Sequence, residues 1–251
     1  MTVPALEARG LVRHFGALVA TDDVSFSIAP GARQALIGPN GAGKTTLINL
    51  LTGVIEPTAG QVFLDGRDVT NFSANRRVRM GLTRTFQINQ LFPDLTPVES
   101  LGLAISERNR SGADFWRIAG GRPSIDVEIE ELLTRFGLEA EMEMPTRKLA
   151  YGKQRLLEIA LALATRPRVL LLDEPAAGVP EEERRDILAA LAALPSDVAI
   201  LLIEHDMDLV FTFASRISVM VAGRLLTEGR PEEIAADERV RAVYLGEDAH
   251  A

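Results

Sequence analysis

Gly38-Pro39-Asn40-Gly41-Ala42-Gly43-Lys44-Thr45 fits the pattern G-x-x-x-x-G-K-[ST] at every position. Glycines let a backbone wrap closely around an anion, and the N–H groups of such a loop converge with a helix N-terminus on phosphate oxygens. In this pattern Lys44 reaches the β- and γ-phosphates of a nucleoside triphosphate, and the Thr45 hydroxyl faces Mg²⁺. Thr46 is grouped with them as a nucleotide-binding residue. A chance match in a chain of this length is about one in a hundred. The flanks sharpen it, because residues 34–37 form a short apolar strand before the loop and residues 45–51 read as the first turns of a helix. Strand, phosphate loop and helix together predict an α/β domain that binds a nucleoside triphosphate.

Outward from the loop, the pattern stays mixed. Residues 18–28 alternate apolar and polar (Val24, Phe26, Ile28) and read as a strand. Residues 61–64 followed by Asp65-Gly66 read as a strand and tight turn of an antiparallel hairpin. From about residue 95 to residue 164 the pattern is helical, with one Gly/Pro-rich break at residues 120–124. Strands are expected again at 169–172, 199–203 and 217–221, with helices at 181–194 and 207–214 between them. Alternating strands and helices imply a mainly parallel sheet, and the helical middle implies a subdomain inserted into it.

Composition bounds the function. The 251 residues include 27 Lys+Arg against 35 Asp+Glu, a formal net charge of −8, and 47% are hydrophobic. That is enough apolar material for a sizeable core, and the acidic balance argues against nucleic acid as a partner. There is no cysteine, which excludes disulfides, thiolate metal sites and a cysteine nucleophile. Glu7 and Arg9 stand where a secretory signal would need its apolar stretch. The longest apolar runs, such as residues 198–203, are far short of the ~20 residues that span a bilayer. Any membrane role is therefore expected to be peripheral, with a separate spanning partner.

The strand at 169–172 ends in Asp173-Glu174. Two acids after a strand usually form a solvated turn. Downstream of a phosphate loop they suit other work: Asp173 holds the Mg²⁺ shell, while Glu174 faces the γ-phosphate and orients or deprotonates a water.

Five further pieces fall in a telling order. They are Phe15-Gly16, Phe86-Gln87, Leu149-Ala150-Tyr151-Gly152-Lys153-Gln154-Arg155, Ala176-Ala177-Gly178-Val179 and Ile203-Glu204-His205-Asp206. In this order the chain resembles the ATP-binding subunits of ABC transporters over nearly its whole length. The wording around Leu149–Ala160, Asp173–Gly178, Ile203–Met207 and Arg241–Gly246 is similar to the branch that takes up branched-chain (hydrophobic) amino acids. The resemblance implies a P-loop NTPase of ABC ATPase type. It would have a RecA-like, mainly parallel sheet core and an antiparallel β subdomain. Residues 88–160 would be an inserted helical subdomain within a single ATPase domain spanning 1–251.

It also implies roles. Phe15 would stack on adenine; an ordinary core aromatic is the bland alternative. Gln87 would reach the Mg²⁺ and γ-phosphate region, and His205 would hydrogen-bond the γ-phosphate and sense its loss. Ala150, Tyr151, Gly152 and Lys153 belong to the family signature, which would cap the ATP held by a second subunit. Hydrolysis would then need a homodimer or a heterodimer with a paralogue. Transmembrane permease subunits would be the other direct partners, and an external solute-binding protein an indirect one. The location implied is cytoplasmic, on the inner face of the cell membrane. Leu91 and Phe92 would either pack inside the helical subdomain or form a groove for a permease helix.

Two departures from the family pattern stand out. The usual signature serine is Ala150 here, so backbone N–H groups around Gly152 must serve. Lys153, where glutamine is usual, would either reach the partner's triphosphate or point into solvent. Pro180 replaces the usual Asp or Asn of the following loop and offers no side-chain hydrogen bond. A soluble or export-directed ATPase of the same superfamily, in cluster assembly or lipid transport, is the alternative function. A phosphate-loop kinase would leave the Leu149 segment without a use.

Overall fold

The computed structural model describes residues 2–85, 91–109 and 123–245. The chain divides into two compact units. One comprises Met1–Leu82, Arg168–Glu174 and Ser196–Ala251, the other Thr83–Pro167 and Pro175–Pro195.

In the first unit, β1 (Leu6–Phe15), β2 (Leu18–Ile28), β4 (Ala59–Leu64) and β5 (Arg67–Asp68) form an antiparallel sheet of order β2-β1-β4-β5. The expected hairpin turn at Asp65-Gly66 joins β4 to β5, and both residues take positive φ. β3 (Arg33–Ile37), β7 (Val169–Asp173), β8 (Ala199–Ile203) and β9 (Arg216–Val221) are the other sheet's parallel strands. β10 (Arg224–Gly229) closes one edge antiparallel to β9, and β6 (Leu82–Arg84) is the last strand beyond β7. Every residue of β7 and β8 is buried. Unbroken apolar runs such as theirs are what a parallel strand covered on both faces requires.

The helix after the phosphate loop, α1 (Lys44–Thr52), packs Leu47, Ile48, Leu50 and Leu51 into this unit's core. Its C-terminal carbonyls lack helical partners. Arg77, on α2 (Ala74–Arg79), supplies them. It is 1% exposed and donates to the carbonyls of Leu50 (2.7 Å), Leu51 (2.5 Å), Thr70 (2.8 Å) and Phe72 (3.1 Å). Burial pushes its pKa down to about 10, so it remains charged at neutral pH. Arg77→Ala is expected to destabilise the protein by about 3 kcal/mol or more, because buried carbonyls lose their donors and a cavity opens. Urea titration would show this as a lower midpoint at unchanged slope. Arg77→Lys should recover only part of the loss, since one ammonium cannot span four carbonyls.

The second unit is helical. α3 (Pro97–Arg108) starts at a capping box, with the Thr96 hydroxyl accepting from Glu99 N and the Glu99 carboxylate accepting from Thr96 N. α3 packs against α4 (Pro123–Arg135) and α5 (Tyr151–Ala164), and α5 also against α6 (Glu181–Ala192). Arg108 grips both oxygens of Glu128 (2.6 and 2.8 Å) and donates to Ala164 O (2.7 Å), tying three helices together. The guanidinium holds the Glu128 carboxyl below its ordinary pKa.

The structure corrects the expected run of helix from 95 to 164. Residues 136–145 are not helical; Gly137, at φ +60°, ends α4, and Pro145 precedes a short 3₁₀ turn. Of the expected break at 120–124, Pro123 and Ser124 already belong to α4, and residues 120–122 lie outside the described residues. Among the described residues no helix is long and apolar enough to cross a membrane.

Candidate functional site

The first unit gathers most of the expected site. β3 feeds the phosphate loop, β8 lies beside β3 and β7 lies beside β8, so the loop, Ile203 and Asp173 end neighbouring parallel strands. Ligands of open parallel sheets bind beyond such carboxyl ends.

The loop's shape depends on glycine. Gly38 (φ +153°) runs so close to β9 that a Cβ there would lie 2.1 Å from Met220 O. Gly43 (φ +100°) is the N-cap of α1 and places no side chain over its first amides. An uncapped helix start with a left-handed residue before it is a cradle for an anion. Gly223 N donates to Ala42 O at 2.9 Å, bracing the loop from the β9–β10 turn. Lys44 Nζ lies over the loop, donating to Gly38 O (2.5 Å) and Pro39 O (3.0 Å). Asn40, Gly41 and Thr45 are exposed at the loop's mouth, and Thr46 is half-buried on α1.

Asp173 is 5% exposed at the end of β7. Glu174 follows with φ +48°, a left-handed backbone that an ordinary side chain adopts at a cost. Its N–H donates to Ile203 O at 2.9 Å. This turn brings its carboxylate to 3.9 Å from His205 Nδ1, which is also 3.8 Å from Glu204. His205 is open to solvent, while Glu204 is buried and accepts from His205 N at 3.1 Å. The Asp206 carboxylate then caps α7 (Met207–Phe213), fixing the end of the segment. Thus Glu174 and His205, expected at one reacting centre, stand together.

Phe15 ends β1 and is 46% exposed, so it is no core aromatic. The Arg13 guanidinium stacks 4.7 Å from its ring centroid, a contact the sequence reading missed. Gln87 lies outside the described residues, as do Phe86 and Gly246.

In the second unit, Leu149 is buried, Ala150 is the N-cap of α5, and Tyr151 is 39% exposed. Lys153 Nζ donates to Gly137 O at 2.6 Å, an exposed contact with a carbonyl just past the end of α4. Gly152 N donates to Glu183 Oε2 at 2.7 Å. Glu183 was not anticipated: it is the third of three consecutive glutamates, Glu181–Glu183, which read as an ordinary acidic first turn.

Comparison with known proteins agrees with this geometry. The ABC transporter family matches residues 21–177, and the branched-chain amino acid ATP-binding cassette transporter family matches residues 224–250. The chain is 40% identical to the high-affinity branched-chain amino acid transport ATP-binding protein BraF of Pseudomonas aeruginosa, over 98% of this chain and 100% of the relative. It is 38% identical, with the same coverage, to the high-affinity branched-chain amino acid transport ATP-binding protein LivG of Escherichia coli. Among solved structures it is similar to a nucleotide-free ATP-binding cassette from an ABC transporter. That likeness has a TM-score of 0.83 and 30% identity, covering 96% of this chain and 98% of the other. Another ATP-binding cassette, in its ADP conformation, has a TM-score of 0.82 and 31% identity, covering 98% and 100%. End-to-end similarity of this kind, with the phosphate loop and its acid pair already in place, means that the chain belongs to the ABC transporter family as an ATP-binding subunit.

Proposed function

We propose that this ATPase is the energy subunit of an importer for branched-chain or related hydrophobic amino acids. Two such subunits, alike or paralogous, would sandwich ATP between the phosphate loop of one and the signature helix of the other. Their closure would drive separate transmembrane permease subunits at the inner face of the membrane, fed by an external solute-binding protein.

The observation that carries the hydrolytic part is the Glu174–His205 pair, 3.9 Å apart, at strand ends next to the phosphate loop. The loop amides and Lys44 bind the triphosphate, and the exposed face of Phe15 offers adenine a stacking surface. Glu174 accepts a proton from the attacking water and orients it. His205 donates to the γ-phosphate and couples its presence to α7. The Thr45 hydroxyl and the Asp173 carboxylate are hard oxygen donors that suit Mg²⁺, which when bound neutralises phosphate charge; Gln87 is assigned as a third ligand. The 64% exposure of Phe92 favours the reading of a groove for a permease helix. The amino acid assignment rests on what BraF and LivG are named for.

A split site has a kinetic signature. The purified chain is expected to bind ATP yet hydrolyse it slowly, with a rate per subunit that rises with protein concentration. Turnover independent of concentration at low protein points instead to a self-contained site or a preformed tight dimer. Co-purification with membrane permeases separates this function from that of a soluble ATPase.

A further inference from the structure

The amide of Gly152 is already taken. It is the second residue of α5, so its N–H belongs to the helix start that has no acceptor within the helix. An N-cap serine or threonine could accept from such an amide, but Ala150 cannot, and the helix has no side-chain cap. The acceptor comes from elsewhere in the same unit: Glu183, the third residue of α6, places Oε2 2.7 Å from Gly152 N. The two positions are matched. A Cβ on residue 152 would lie 2.1 Å from that oxygen, so a larger residue there would displace the carboxylate from this amide. Pro180 is the N-cap of α6, and its carbonyl accepts from Glu183 N at 2.9 Å and Arg184 N at 3.1 Å, which sets the start of α6 from which the carboxylate reaches across.

On the split-site reading above, which this inference requires, Gly152 N–H is one of the amides offered to the partner's ATP. A carboxylate and a phosphate are both anions, and one N–H cannot serve both at full strength. We infer that Glu183 is an intramolecular stand-in for the terminal phosphate. It holds the signature amide in the isolated subunit and has to leave it when the dimer closes on ATP. Closure is then an exchange of one charge-assisted hydrogen bond for another, with no net gain from that amide until Glu183 is rehydrated. ADP lacks the group that would take its place, so the contact keeps ADP-loaded subunits apart.

The test is made on protein carrying Glu174→Gln, which is expected to bind ATP without turning it over. Sedimentation velocity follows dimer formation as Mg·ATP is titrated, with Glu183→Ala and Glu183→Gln added separately. Glu183→Ala is expected to lower the ATP concentration for half-dimerisation by about tenfold, the scale of one charge-assisted hydrogen bond that need not be broken. Glu183→Gln keeps an acceptor without the charge and should fall between. Thermal unfolding of each variant is recorded alongside, since α5 loses its only described cap. A carboxylate that merely supports the helix would make closure harder as stability falls, so a raised or unchanged midpoint overturns the proposal. If neither the Glu174→Gln protein nor its Glu183→Ala derivative dimerises at any ATP concentration, the split-site reading for paired copies is itself wrong, and the stand-in goes with it. If only the Glu183→Ala derivative dimerises, both stand.

Discussion

Glu174→Gln is expected to cut ATP turnover by about 10²–10⁴-fold, the range a positioned general base contributes. ATP should stay bound. The substitution keeps the side chain's shape and its backbone bond to Ile203 O, and leaves Asp173 untouched. What goes is the carboxylate's charge and basicity, facing His205 across 3.9 Å. Single-turnover hydrolysis with radiolabelled ATP, beside a separate measurement of nucleotide binding, distinguishes the two effects. Loss of binding together with turnover would mean that residue 174 holds nucleotide. Rapid turnover in the variant would move the base to another residue.

Lys44→Ala should be at least as severe, and of a different kind. Hydrolysis is expected to disappear and ATP affinity to fall by about 10–100-fold, the worth of a lost charge-assisted contact. Lys44 stands inside the loop, its ammonium on the carbonyls of Gly38 and Pro39, poised where phosphate oxygens would replace them. Calorimetric titration with ATP reads the affinity directly. Lys44→Arg is not expected to rescue it, since a planar fork does not substitute for a compact ammonium in so narrow a turn. Near wild-type ATPase activity in the Lys44→Ala protein would refute the assignment of the loop.

The phosphate loop was legible because its requirements are local: glycine where the backbone is left-handed or crowded, lysine and threonine at fixed offsets. The Asp173-Glu174 pair was legible for the same reason, at the end of a five-residue buried strand. β1 was not anticipated. Its pairing with β2 shifts register between Ala8 and Leu11 and again up to His14, and each bulge breaks the two-residue alternation by which a strand is read. The end of α4 carried a signal that was passed over, Gly137 followed by Pro145. Arg77 and Glu183 carried none. Arg77 sits in Arg76-Arg77-Val78-Arg79, where every cation looks like a surface residue, and only the carbonyls of α1 and the α1–α2 region select it for burial. Which of three adjacent glutamates turns toward α5 is likewise a question of packing between helices distant in sequence.

The backbone at Glu174 has a further consequence for heredity and engineering. A left-handed conformation disfavours an ordinary L-residue by about 1 kcal/mol or more, whereas glycine adopts it freely. On the proposed reading, glutamate at φ +48° is a residue kept for chemistry against the preference of the fold. Laboratory evolution that rewards heat resistance without assaying turnover will find relief at this position and drift toward robust, inert subunits. Selection in a cell that must feed itself through the transporter pulls the other way, and the residue found at 174 reports which pressure prevailed.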